Sequence, residues 1–165
     1  MPEPSTSPSL PPNYTLHVGY PPLDTYLHLR RASGLTPKTP AQGAAIPSGS
    51  WYGCYIAYTD PSSSSSASTS PSPTPVAMGR IISDGGWYFH IADMAVLPAH
   101  QRKGLGDVVL KELLRYIKEN APEGEPYVNL LADPPGRRLY GSNGFVESAP
   151  VSTGMVFKGG RGDLP

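Results

Sequence analysis

Hydrophobic and polar positions change period several times along the chain. Residues 14–20 alternate in the manner of a strand. Residues 22–32 place Leu23, Tyr26, Leu27 and Arg30 at helical spacing, with Pro22 at the start and Gly34 past the end. Residues 36–46 suggest a second short helix, punctuated by Pro37 and Pro40. Aromatic and β-branched types predict a strand over residues 51–58. Two more strands, 76–83 and 86–96, are joined by Asp84-Gly85-Gly86, a hairpin signal because glycine accepts positive φ at no steric cost. Residues 105–118 carry the strongest helical pattern, with Leu105, Val108, Val109, Leu113 and Ile117 on one side and Lys111, Glu112, Arg115 and Lys118 on the other. A short apolar run at 128–132 reads as a central strand. Residues 135–142 predict a helix with proline in its first turn, and residues 145–146 and 155–158 two closing strands.

Composition adds boundaries to this pattern. Residues 1–12 are rich in Pro and Ser and read as a disordered tail, and residues 159–165 as a C-terminal tail. Residues 61–75 are a low-complexity run of Ser, Thr and Pro, expected as an insertion at a hairpin tip within a domain spanning 13–158. The length of 165 residues suits one domain, burying about 70% of its unfolded surface. Thirteen basic residues balance thirteen acidic ones, so no net field points to nucleic acid or a membrane surface as the partner. One cysteine, Cys54, leaves no intramolecular disulfide and fits a reducing compartment. No apolar run approaches the ~20 residues that span a bilayer, and the N-terminus lacks a signal pattern. A cytoplasmic protein is expected.

The chemistry begins at Gln101-Arg102-Lys103-Gly104-Leu105-Gly106, which follows a strand and a proline turn and runs into the strongest helix. Two glycines allow the backbone to approach an anion, and the first N–H groups of a helix have no internal partners. Arg102 and Lys103 supply matching positive charge, so a phosphate-bearing ligand is expected here. The chain contains no G-x-x-x-x-G-K-[ST] loop, and Val109 occupies the third glycine position of a dinucleotide fingerprint.

Residues 93–106, ending in that loop, closely resemble the acetyl-CoA-binding segment of the GNAT (Gcn5-related N-acetyltransferase) superfamily, whose loop reads [QR]-x-x-G-x-[GA]. Downstream, Arg138-Leu139-Tyr140-Gly141-Ser142-Asn143-Gly144-Phe145 resembles its L-Y-x-x-x-G-F signature. The resemblance implies an α/β (α+β) fold: a central mixed, mostly antiparallel, splayed sheet of six to seven strands flanked by about four helices. It implies acetyl-CoA as co-substrate, without a metal, held by the 101–106 loop, by backbone at Met94 and Val96 with Ala95 between them, and by Asp133 and Tyr140. It also gives Tyr140 the role of acid toward the coenzyme A sulfur.

An alkylamine is mostly protonated at neutral pH, so acetyl transfer to it needs a base. A histidine suits that work, because an unperturbed imidazole titrates at ~6.5, and the position of His90 resembles that of a histidine in arylalkylamine acetyltransferases. It shares the parity of Ala92, Met94 and Val96. Asp93, on the other parity unless a bulge intervenes, is the alternative base. Tyr26, His28, Trp51 and Tyr88 belong to an aromatic-rich first half able to hold an amine by cation–π contact or stacking. Cys54 reads as a core thiol, which leaves direct transfer in a ternary complex. The expected acceptor is a small-molecule primary amine. Protein lysines or N-termini, or a non-catalytic coenzyme A-binding module, are the alternatives, and monomer and homodimer both remain open.

Overall fold

The computed structural model describes residues 9–65 and 72–164. The remainder of the expected N-terminal tail and the centre of the Ser/Pro insertion lie outside the described residues. The chain divides into two compact units, residues 1–130 and 131–165.

The first unit is built on a five-stranded sheet in the order β1 (Tyr14–Val18), β2 (Tyr52–Tyr58), β3 (Thr74–Ser83), β4 (Tyr88–Val96) and β5 (Tyr127–Asn129). The first four strands pair antiparallel in sequence order, and β5 joins β4 in parallel. Helix α1 (Leu23–Ala32) lies against one face. There Tyr26 and Leu29 pack with Met78 of β3 and Ala95 of β4. Helix α4 (Leu105–Asn120) covers the other face through Leu105, Val108, Val109, Leu110, Leu113 and Ile117. Between β1 and β2 sit two short helices, α2 (Pro40–Ala44) and α3 (Ile46–Gly49). Proline at the start of α2 does not break it: Thr39 and Gln42 form a capping box that satisfies orphan N–H groups.

The β3–β4 register shifts between Met78 and Arg80. Gly79 faces both Asp93 and Met94, and Asp93 adopts φ 56°, the bulge geometry that short polar side chains tolerate best. This extra residue flips the side-chain parity of β4. Phe89 and Ile91 lie toward α4, with Phe89 against Trp51, which also meets Tyr116 of α4. Met94 lies there too: a Cβ on Gly79 would meet Met94 Sδ at 2.6 Å and Val109 Cγ1 at 2.7 Å. His90 and Ala92 therefore face α1, and Asp93 and Ala95 join them on that side. The expected common parity of His90, Met94 and Val96 is corrected accordingly.

In the second unit, a 3-10 turn (Pro134–Gly136) leads into α5 (Arg137–Ser142). The expected closing strands at 145–146 and 155–158 do not form, so the described sheet has five strands rather than six or seven. Strand structure needs a ladder for its backbone groups. Here Pro150 lacks a donor, and Ser152 N–H bonds back to Ser148 O at 3.0 Å, closing a local turn instead. Val146 and Met155 are 89% and 94% exposed, so these runs bury little side chain beyond Phe145, which meets Tyr140.

Gly79→Ala should place a methyl group into the contact of Met94 with α4 and lower stability by about 1–3 kcal/mol. Thermal denaturation would read this as a reduced Tm, and an unchanged Tm would show that Met94 and Val109 move aside freely.

Candidate active site

On the α1 face of the sheet, the bulge brings Asp93 to a cluster of donors. Tyr26 OH donates to Asp93 Oδ2 at 2.5 Å, Arg80 Nε donates to the same oxygen at 2.6 Å, and Arg30 Nη1 donates to Oδ1. Arg30 also holds the Thr36 carbonyl through Nη2 at 2.8 Å, and Arg80 reaches Ser50 Oγ at 3.0 Å. Burial works to raise the Asp93 pKa, but the hydrogen bonds from Tyr26 and Arg80 and the two guanidinium charges outweigh it and hold the carboxyl below its usual range. A carboxylate so saturated is a poor proton acceptor. Asp93, the expected alternative base, thus sits at the bulge with three donors on it, and Tyr26, expected to contact the substrate, is one of them.

His90 occupies the last rung shared by β4 and β5. Its ring Nδ1 lies 2.7 Å from Asn129 Oδ1. With the amide oxygen as acceptor, the proton sits on Nδ1 and the Nε2 lone pair is available. The other amide atom, Asn129 Nδ2, is buried and has no hydrogen-bond partner among the described residues. Beyond His90 the edge of β4 from Ile91 to Val96 runs without β5, whose ladder covers only Tyr88, Phe89 and His90. That edge offers main-chain groups to a strand-like ligand, while the Met94 and Ala95 side chains pack inward.

The strand ends in a 3-10 turn (Pro98–His100) and the glycine loop. His100 Nδ1 lies 2.8 Å from Tyr14 OH, and its ring also meets Tyr58, so the start of the loop is tied to β1 and β2. Burial and the nearby Lys103 charge hold the His100 pKa below its ordinary value. Gln101 Nε2 donates to Val96 O at 3.1 Å, bracing the loop against the strand. Arg102 and Gly104 both take positive φ, at 63° and 78°. Gly104 caps α4 with no side chain, and Val108 N is the first to bond back into the helix, to Gly104 O at 3.1 Å. Residues 101–104 are exposed, whereas the Leu105 side chain is buried and leaves only its main chain to face a ligand.

Residues 51–147 match the family described as "Acetyltransferase (GNAT) domain". The chain belongs to the GNAT family. Among solved structures, SA2161 of methicillin-resistant Staphylococcus aureus, a protein of unknown function, is 29% identical with a TM-score of 0.73, over 88% of this chain and 98% of that one. The GNAT family acetyltransferase SP0256 of Streptococcus pneumoniae is 26% identical with a TM-score of 0.64, over 87% and 96%. The Escherichia coli ribosomal-protein-S18-alanine N-acetyltransferase shares the fold at 18% identity and a TM-score of 0.61, over 82% and 79%. No curated protein matches the sequence. The protein is an N-acetyltransferase with the mixed α/β GNAT fold.

GNAT enzymes use acetyl-CoA, and the residues present fit it. The αL glycine at the helix start leaves open space where a Cβ would stand, two cations flank it, and the buried Asn129 Nδ2 lacks an acceptor. In the second unit, Tyr140 lies over Gly136, where a Cβ would come within 2.8 Å of the ring, and meets Phe145 edge-on at 6.0 Å. Burial raises the Tyr140 pKa, and the charge of Asp133 adds to this. Of the other expected substrate residues, Tyr88 stands two before His90 on β4, opposite Tyr127. Trp51 packs on the α4 face, and His28 is exposed on α1, away from its buried Tyr26, Leu29 and Arg30. Arg30, Arg80, Asn129 and His100 were not singled out as site residues. A charged Arg30 on an apolar helix face and a charged Arg80 within an apolar strand are the available signals. Among the described residues no cluster of side chains could hold a metal, and no helix is long and apolar enough to cross a membrane.

Asp93→Asn should cost about 3–5 kcal/mol at pH 7, because it leaves two buried guanidinium groups without their counter-charge. The lowered folded pKa makes the wild-type contribution complete above the unfolded value of ~3.9 and lost as pH falls through the folded value. Denaturant titrations at pH 7 and in acid should therefore show the difference between the two proteins shrinking as pH drops.

Proposed function

We propose that this GNAT enzyme binds acetyl-CoA at residues 101–106 and moves its acetyl group directly to a small-molecule primary amine within a ternary complex. When bound, acetyl-CoA supplies the activated thioester carbonyl. Main-chain N–H groups at the start of α4, with Arg102 and Lys103, would hold its diphosphate. The free edge of β4 from Ile91 to Val96 would take its amide-bearing arm as an added strand.

His90 and Asn129 carry this reading, paired at the rung where the two strands part. The amine enters as an ammonium and must lose a proton before its nitrogen can attack. His90 Nε2 accepts that proton, directly or through one water. The new N–C bond forms as the C–S bond breaks, and the departing sulfur needs a proton. Tyr140 supplies it. Its raised pKa keeps the phenol protonated at neutral pH, so a proton is present to share with the forming thiolate once the two are held within hydrogen-bond reach. Cys54 supports direct transfer, since burial first and the Glu112 charge second push its thiol up to about 12. Such a thiol is no nucleophile at neutral pH.

Mixing the protein with acetyl-CoA and a broad panel of amines should release free thiol. Silence across the panel together with acetylation of lysine peptides would move the acceptor to proteins. His90→Ala should lower kcat about 100-fold near pH 7, with the deficit shrinking at alkaline pH, where the amine sheds its proton unaided. An unchanged pH profile would remove His90 as base. Tyr140→Phe should lower kcat by a similar factor of about 100 while calorimetry finds acetyl-CoA affinity nearly unchanged. Equal losses in both would assign Tyr140 to binding.

A further inference from the structure

Three rings from three separate elements close on one another at the end of the sheet that carries the glycine loop. Tyr14 opens β1 and stands opposite Tyr58, the last residue of β2, with ring centroids 4.9 Å apart. His100, in the turn after β4, meets Tyr14 edge-on at 5.7 Å and Tyr58 at 5.1 Å. Its Nδ1 lies 2.8 Å from Tyr14 OH, so two residues 86 positions apart share a hydrogen bond. The two strands are tied again one residue further out, where Thr59 N donates to Asn13 O at 2.9 Å.

The chain after His100 has few holds of its own. Gln101 N donates to Pro98 O at 3.3 Å, and among the described residues the next main-chain bond is Val108 N to Gly104 O at 3.1 Å. Between them Arg102 takes φ 63°, a left-handed backbone that a residue with a side chain disfavours. Neither Arg102 nor Lys103 enters an ion pair among the described residues. A backbone in a sparsely populated region persists where its surroundings fix it. Downstream that support is α4; upstream it is His100.

We infer that Tyr14, Tyr58 and His100 are positioning residues, which fix the upstream end of the 101–106 loop so that its main-chain N–H groups stand ready for the diphosphate before acetyl-CoA arrives. The inference rests on the acetyl-CoA reading of that loop. A ligand that binds one conformer loses affinity in proportion to the fraction of molecules outside it. The three side chains touch no reacting atom, so their effect falls on cofactor affinity and not on the chemical step. Burial first and the Lys103 charge second hold the His100 pKa below its ordinary value, which leaves the ring neutral at pH 7. Burial and Tyr58 together keep Tyr14 a phenol. His100 thus works by contact, unlike Arg102 and Lys103, whose attraction for a phosphate weakens with salt.

Calorimetry of the full chain with acetyl-CoA tests this. Tyr14→Phe removes a single oxygen and should raise Kd about three- to fivefold. His100→Ala should raise it about tenfold, and His100→Asn, which keeps a polar atom near the Nδ1 position, should recover most of that loss. In each variant kcat at saturating acetyl-CoA should stay within about twofold of wild type. The double variant Tyr14→Phe/His100→Ala should bind no worse than His100→Ala alone, and the ratio of variant to wild-type Kd should hold from low to high salt. Hydrogen exchange of the free protein should quicken at residues 102–105 in Tyr14→Phe while the Tyr88–His90 ladder keeps its rate. Unchanged affinity in Tyr14→Phe and His100→Ala, exchange that quickens equally across the sheet, or a Kd ratio that collapses in salt would overturn the inference. Wild-type protein that binds no acetyl-CoA, with residues 102–105 still loosened by Tyr14→Phe, would instead sink the acetyl-CoA reading and leave the fixing of the loop standing.

Discussion

One carboxylate inserted between two guanidinium groups and a phenol holds the geometry of the candidate site. Asp93 is the extra residue of the β4 bulge, and its side chain is the only acid that Arg30 and Arg80 meet among the described ion pairs. Without the bulge, strict alternation would turn Asp93 toward α4 and its apolar face, where no donor waits. With it, β4 changes sides in mid-strand. The half before the bulge sends His90 toward α1, and the half after it sends Met94 into the space above Gly79. The left-handed backbone at Asp93 is offset by three hydrogen bonds that reach it from α1 and β3.

Before it reaches the bulge, β4 also changes its neighbours. Up to His90, β4 is laddered on both edges; past it, only β3 remains alongside. A strand with one free edge normally invites aggregation, but here the free edge is brief and runs into a turn braced by Gln101 and His100. In a GNAT enzyme that edge lies next to a glycine loop whose exposed residues carry two cations. Strand, turn and loop are therefore one continuous surface running from the candidate base to the helix start.

Much of this was legible in residue patterns. The period change at Leu105 located α4 and its buried side, and Asp84-Gly85-Gly86 located the hairpin, because both signals are local. The glycine loop was legible for the same reason: phosphate cradles are short and made of main chain. Asn129 was not, since its meaning depends on which residue of β4 stands opposite. Nor was the part played by Asp93, which alternation alone would have turned away from Tyr26 and Arg30, 67 and 63 positions earlier. Residues 145–158 misled in the opposite direction. Short apolar runs such as Met155–Val156–Phe157 have strand composition, but composition supplies no neighbouring ladder.

The seclusion of Cys54 bears on how such an enzyme can be watched. Its sulfur lies wholly inside the sheet–helix interface, close to the Val109 carbonyl, and it is the sole cysteine of the chain. A chromogenic disulfide reagent added to the native protein will thus colour only with coenzyme A set free by turnover. Once the interface opens, the same reagent gains one further equivalent per chain, so a single dye reports both catalysis and the moment the core comes apart.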